Sequence, residues 1–379
     1  MNVVIFCHSI VSDWNHGNAH FLRGIARELL RRGAHVRLLE PKGGWSVSNL
    51  VKDQGFEPLH EFRTYYPDLQ SEFYTADSLH LDRVLGKADL VLVHEWNEPK
   101  LVSRIGAHRK TSGGYLLLFH DTHHRSVSAP RQMSRYDLSA YDGVLCFGRA
   151  VAAQYRAQGW AKRVFVWHEA ADTSVFYPRE RMAVQGDLVW IGNWGDNERT
   201  EELEEFLLEP VRRLGLRATA YGVRYPASAL NALQRAGITY GGWIPNYRVP
   251  EVFSRFRLTV HIPRRPYVQQ LPGIPTIRPF EALACGLPLI SATWVDSERL
   301  FRADNDFLMV RDGQEMQKRI AAVLHDHTLA HSLACSGREQ LLQRHTCRHR
   351  VNELLEIARS LRGEIRLPPV CSDLLREDT

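Results

Sequence analysis

Short runs of β-branched and apolar residues punctuate the first half of the chain at 3–7, 36–39, 90–93, 115–119, 143–147 and 164–167, with helical stretches between them. Runs that are apolar on both faces and separated by helices predict parallel strands covered on both sides. The first helix is the best defined. Phe21, Leu22, Ile25, Ala26, Leu29 and Leu30 recur at three-and-four spacing, Asn18 stands where a cap is expected, and Gly33 follows the last turn. Arg23, Arg27 and Arg31 fall on another face, which predicts a solvated basic stripe, with anionic lipid as the alternative partner.

The pattern lapses over residues 168–185 and then restarts, with apolar runs at 188–191, 218–221, 258–262, 288–291 and 307–310 and a helical stretch at 201–214. A chain of 379 residues also exceeds what one core ordinarily supports. Two α/β domains of Rossmann-like type, with parallel sheets facing an interdomain cleft, are therefore expected. Their limits are 1–172 and 186–347, joined by a linker at 173–185 and followed by 348–379, a helix packing across the junction plus a mobile tail. Open parallel sheets bind ligands at the carboxyl ends of their strands, which places the active site between the domains.

Composition narrows the class without naming a function. With 44% hydrophobic and 24% charged residues the chain is globular, and a net charge of +5 suits an anionic substrate but not a dedicated nucleic-acid binder. The six cysteines are scattered without a C-x-x-C pair, as in reduced thiols of a cytoplasmic protein. No run is long enough to span a bilayer, so any membrane contact is expected to be peripheral.

The chemistry concentrates in residues 272–292, PGIPTIRPFEALACGLPLISA. Arg278 and Pro279 open a helix there, Glu281 lies in its first turns, and Gly286 closes it. A carboxylate so placed suits the two cis hydroxyls of a ribose, while the loop at Thr276 and the helix N-terminus offer N–H groups to phosphate oxygens. A glutamate at a helix start also serves simply to offset the helix dipole. His120, Asp121, His123 and His124 invite a metal reading, but their spacing fits no zinc pattern, and Asp304 and Asp306 read as a polar turn rather than a metal-binding D-x-D.

The order GIPTIRPFEALACGLPLISATWVDSERLF resembles the donor-binding segment of GT-B glycosyltransferases, particularly the CgeB-like (spore-maturation-type) branch, related to retaining family 4. HGNAHFLRGIARELLRRGAHV is similar to that family's opening loop and helix, and GGWIPNYRVPEVFSRFRLTVHI to the strand and helix before its donor loop. Coverage is weakest over residues 41–88. The resemblance implies a GT-B fold and ribose contact through Glu281. It also implies diphosphate contacts from Arg278 or from Arg199 in the loop containing Asn193, close approach of Gly17 and Asn18 to the phosphates, and Trp243 beside the base. His120 matches the strand-end histidine that faces the donor sugar. In the retaining family two glutamates stand seven residues apart; Glu281 matches the second, and Gly273 stands where the first is expected.

The implied reaction moves a sugar from a nucleoside diphosphate, UDP being the expected carrier, to a hydroxyl of a saccharide or small-molecule acceptor, with no metal or other cofactor. Arginines and helix N-termini would stabilise the departing diphosphate. An inverting reaction needs a base from the first domain, for which Asp13, His16, His20 and Asp121 are available; a retaining one does not. A nucleotide-sugar epimerase and a non-catalytic nucleotide-sugar binding protein remain as alternatives, whereas a dinucleotide oxidoreductase lacks its G-x-G-x-x-G.

Overall fold

The computed structural model describes residues 1–180, 183–195 and 197–362. The tail expected to be mobile lies outside the described residues from 363 onward, as does Asp196 of the Asn193 loop. The first sheet contains β1 (Asn2–Phe6), β2 (His35–Pro41), β3 (Ser71–Tyr74), β4 (Leu90–His94), β5 (Leu116–Asp121), β6 (Gly143–Cys146) and β7 (Val164–Val166). Its order is β3-β2-β1-β4-β5-β6-β7. The second contains β8 (Gly186–Ile191), β9 (Ala218–Tyr221), β10 (Ile238–Gly242), β11 (Phe256–His261), β12 (Leu289–Ala292) and β13 (Leu308–Val310), in the order β10-β9-β8-β11-β12-β13. All strand pairs are parallel.

Two strands escaped the apolar pattern, β3 and β10, and both are sheet edges. The other strands match the expected runs to within two residues at either end. In each sheet the order reverses beside the first strand, between β1 and β4 and between β8 and β11. These reversals open crevices at the carboxyl ends of the strands, and the two crevices face each other.

The helix α1 (Ala19–Arg31) buries Phe21, Leu22, Ile25, Ala26 and Leu29 as its spacing requires. Two expectations about it fail. Asn18 holds the N-cap position without capping, because its side chain is drawn to Glu169 across the cleft loop. The arginine stripe is not a uniform solvated face: Arg23 is buried and pairs with Asp13 at 2.8 Å, Arg27 reaches Asp68 at 3.1 Å, and only Arg31 is well exposed.

The helix α2 (Ile277–Ala284) carries Glu281, and α3 (Cys347–Arg362) returns from the second domain to lie on α1. That crossing needs Gly24 of α1, where a Cβ would stand 2.8 Å from the Cβ of Asp172 and collide with the Cys347 thiol. Trp167 Nε1 donates to the Arg350 carbonyl at 2.8 Å, and Ala171 pairs with Thr346 in an isolated bridge. α3 is thereby part of a core cluster that includes the first domain's Phe21, Ile25 and Trp167. Leu354 of α3 is fully buried. Leu354→Ala is accordingly expected to cost about 2–5 kcal/mol in urea unfolding; a loss below about 1 kcal/mol would show that α3 is not integral to that core.

Candidate active site

Between the two sheets lies a cavity of about 690 Å³. Its walls come from both strand-order reversals: His8 follows β1, Trp96 follows β4, Gly192 and Asn193 follow β8, and His261 ends β11. The start of α2 adds Thr276, Ile277 and Arg278.

Glu281 is completely buried. Its Oε1 accepts 2.8 Å hydrogen bonds from His20 and from the Asn246 side-chain amide, and its Oε2 takes the Arg278 guanidinium. Burial alone would push this carboxyl up, but Arg278, His20 and Asn246 together hold it below its ordinary value, so the site keeps a carboxylate. His20 Nε2 accepts the Asp172 backbone N–H at 2.8 Å, which leaves Nδ1 as the protonated nitrogen facing Glu281. With both nitrogens engaged and its ring stacked on Phe176, His20 is a link between domains rather than an available base. Glu281 itself does not line the cavity, whereas Arg278, bonded to its Oε2, does.

Asp13 is also withdrawn. Its Oδ2 accepts from Arg23 and, at 2.9 Å, from the Asn246 backbone N–H, so it latches the first domain to the second instead of facing the large cavity. His120 is sealed against Phe21 and Trp167 and its imidazole is pushed down to about 3 by burial; it does not line the cavity. The residues that do are its neighbours His123 and His124. Trp243 packs with Trp14, Leu50 and Val223 and borders a separate slot of about 40 Å³.

The nucleotide-side residues converge better. Gly17, Asn193, Arg199, Thr276 and Arg278 all border the cavity, joined by Arg264, which pairs with Glu198 at 2.9 Å. Asn193 bonds Asn15 across the domain boundary and accepts the Val223 N–H at 2.8 Å. Thr276 caps α2 with φ +61°, a costly conformation for a β-branched residue, and such strain persists where the surrounding structure imposes it. Gly17 is packed so close that a Cβ would touch Ile277 at 3.5 Å.

Arg199 donates to the carbonyls of Ile262 and Asn193, lies over the Trp190 ring at 5.1 Å, and leaves Nε buried without a partner. It makes no ion pair with a carboxylate among the described residues. Burial, followed by repulsion from Arg264, pushes its guanidinium down to about 9. Four arginines, Arg199, Arg224, Arg264 and Arg278, border this one cavity, a concentration of positive charge suited to an anion.

Gly273, where the resemblance places a first glutamate, has φ +93°, and a Cβ there would lie 2.7 Å from Ser297 Oγ and 2.8 Å from Glu298 Cγ. The fold therefore requires glycine at this position. Among the described residues no group of three His, Cys, Asp or Glu side chains is arranged to hold a metal ion. Asp306 is buried against Arg302 at 2.7 Å, as a structural turn.

Sequence reasoning missed Glu169, which lies where the hydrophobic pattern lapses. It borders the cavity three residues beyond β7, accepts the Asn18 side-chain amide at 2.5 Å, and has a second oxygen buried without a partner. Burial pushes its carboxyl up to about 8, with Glu281 adding to the rise and Asn18 and Arg278 opposing it. The available signal was its place just past a strand's carboxyl end, where ligand-facing residues gather.

Residues 199–356 match a family model described as glycosyl transferase-like. No curated protein is detectably similar to the chain in sequence. Among solved structures, HepE from Anabaena in complex with UDP and glucose is 14% identical with a TM-score of 0.66, over 95% of this chain and 100% of that one. An alpha-glucosyltransferase in complex with UDP and a 13-mer DNA is 12% identical with a TM-score of 0.68, over 94% and 99%. The T4 phage BGT in complex with UDP and Mn2+ is 14% identical with a TM-score of 0.60, over 95% and 99%. At such identities these likenesses establish the fold, which is that of the GT-B glycosyltransferases.

Two outcomes follow from the geometry. Glu281→Ala strands the His20 and Asn246 donors and is expected to cost about 3–5 kcal/mol in urea unfolding, as for a broken buried pair; a neutral effect would remove Glu281 from its central place. For Glu169, the folded carboxyl holds its proton up to about 8 while the unfolded one loses it near 4.3. Between those values its contribution to stability falls as pH rises, and it is flat on either side. The melting temperature of Glu169→Gln relative to the parent should therefore rise from pH 5 to pH 8, by at least about 2 °C; an equal offset at both pH values would show an ordinary carboxyl.

Proposed function

We propose that the protein transfers a glycosyl group from a nucleoside diphosphate sugar, with uridine as the base, to an acceptor hydroxyl. The observation that carries this reading is Arg199, a cation at the cavity with no carboxylate paired to it among the described residues, beside Arg224, Arg264 and Arg278. The glycosyl transferase-like match over 199–356 and the UDP named for the compared structures support it.

In the reaction the bond from the sugar's anomeric carbon to the diphosphate breaks and its electron pair leaves with the phosphate oxygen. The acceptor oxygen forms the new bond, and its proton ends on the departing diphosphate. Fixed guanidiniums and N–H groups stabilise the developing charge without reorganising. Arg278 is positioned for this by Glu281, and Arg199 by two backbone carbonyls. Glu169, neutral at pH 7, adds no repulsion against the diphosphate and has a proton to donate to it. In this reading Glu281 positions Arg278 and reaches the ribose only once Arg278 has transferred its charge to the phosphates.

The arginines supply the counter-charge that a metal ion would otherwise bring, so the reaction is read as metal-independent, in the manner of the CgeB-like branch. No described helix is long and apolar enough to cross a membrane. The five described cysteines are free, in keeping with a cytoplasmic protein.

Calorimetric titration with UDP tests the reading. The parent should bind, and Arg199→Met should weaken binding by about 1.5–3 kcal/mol, or roughly ten- to hundredfold. EDTA should change the affinity less than about twofold. Binding lost in EDTA and restored by Mn2+ would replace the arginine mechanism with a metal one, and equal affinity in Arg199→Met would remove Arg199 from the site.

A further inference from the structure

The cavity has two chemically different halves. The second domain contributes the cations; the first contributes indoles and imidazoles. Trp45, 47% exposed, and Trp96, 40% exposed, rank among the few large apolar side chains left open to water, and both border this one cavity. They come from separate segments, Trp45 from the start of the helix Trp45–Gln54 after β2 and Trp96 from the turn after β4, yet converge on a single ring: the His8 imidazole lies 6.3 Å from Trp45 and 6.4 Å from Trp96. Each indole is held from behind. Trp45 meets Trp14 edge-on at 5.0 Å, and Trp96 carries the Arg125 guanidinium at 4.1 Å and meets His123 at 5.1 Å. Indoles fixed at their backs and open at the cavity are preformed stacking surfaces.

Their surroundings limit what stacks there. Arg125 does not border the cavity, and its guanidinium is bonded to the Glu95 side chain and backbone carbonyl. Burial keeps His8, His16 and His123 neutral. The one carboxyl of this half at the cavity, Glu169, has an unpartnered oxygen but is pushed up to about 8 by burial, so the half offers neutral donors and acceptors, with His16 Nε2 and His123 Nδ1 also lacking partners. Apolar faces combined with neutral polar nitrogens complement a sugar ring, whose C–H face is apolar and whose rim carries hydroxyls.

We propose that the acceptor taken at the first-domain side of the cavity is a neutral saccharide, selected by Trp45 and Trp96, on which its ring lies with its hydroxyls toward His8 and His123. This rests on the glycosyl-transfer reading, since it assigns the acceptor to the half left over by the diphosphate.

The test uses saturation-transfer NMR on the full-length protein, with and without saturating UDP. The probes are cellobiose, maltose and lactose, with glucuronic acid and glucosamine as charged counterparts. At least one neutral disaccharide should bind in preference to both charged sugars. Its Kd should rise at least tenfold in Trp45→Ala and in Trp96→Ala, with Trp45→Phe and Trp96→Phe keeping most of the affinity and a native circular dichroism spectrum. UDP affinity should stay within twofold of the parent in all four variants. The proposal is overturned if no neutral disaccharide binds the UDP-loaded protein, if a charged sugar is preferred, or if the alanine variants bind as the parent does. If UDP fails to bind while disaccharides bind in a tryptophan-dependent way, the subsite stands and the donor reading falls.

Discussion

One buried carboxylate holds the two domains in register. Placing Glu281 where no water reaches it is expensive unless every lone pair finds a donor. The donors come from three directions: His20 from α1 of the first domain, Asn246 from the turn before β11, and Arg278 from its own helix. His20 is in turn fixed by the Asp172 N–H, and Asn246 by Asp13, which also holds buried Arg23. A continuous chain of polar contacts thus runs from the core of α1 to the helix that presents Arg278 to the cavity. Asp13 Oδ1, Arg23 Nη2 and Asn246 Oδ1 stay buried without a partner, so the network ties the junction together while being only partly satisfied.

That arrangement decides the character of the cleft. With Glu281 occupied internally, Arg278 is the group α2 shows to the cavity, and the half of the cleft formed by the second domain is cationic. The first domain faces it with indoles and neutral imidazoles. A bond between an anionic leaving group and a neutral ring would lie across this boundary, where the two halves meet. Glu169, protonated and at the same boundary, avoids placing a negative charge against the anion site.

Much of the architecture was legible because central parallel strands are apolar on both faces. β3 and β10 were not, since an edge strand is covered only in part: Ser71–Tyr74 has no fully buried residue, and β10 has one. The donor segment was legible as a motif, and Gly17, Asn193, Arg199, Thr276 and Arg278 do gather at one cavity. His120, His20 and Asp13 stand apart from the large cavity for reasons that residue type does not show: His120 is sealed by Phe21 and Trp167, His20 is bonded to Glu281 and the Asp172 N–H, and Asp13 to Arg23 and the Asn246 N–H. Glu169 was overlooked because nothing periodic surrounds it.

The sequence by itself determined two tandem parallel α/β domains and a helix start built for an anion, and it showed glycine at 273 where the resemblance expects a glutamate. These are local matters of periodicity, capping and backbone conformation, and each is set within a few residues. Only the tertiary structure decided that Glu281 faces inward, that Arg199 lacks a carboxylate, that Trp45 and Trp96 share a wall, and that Glu169 keeps its proton. Burial and pairing are properties of surfaces brought together from distant parts of the chain, and no window of sequence contains both surfaces.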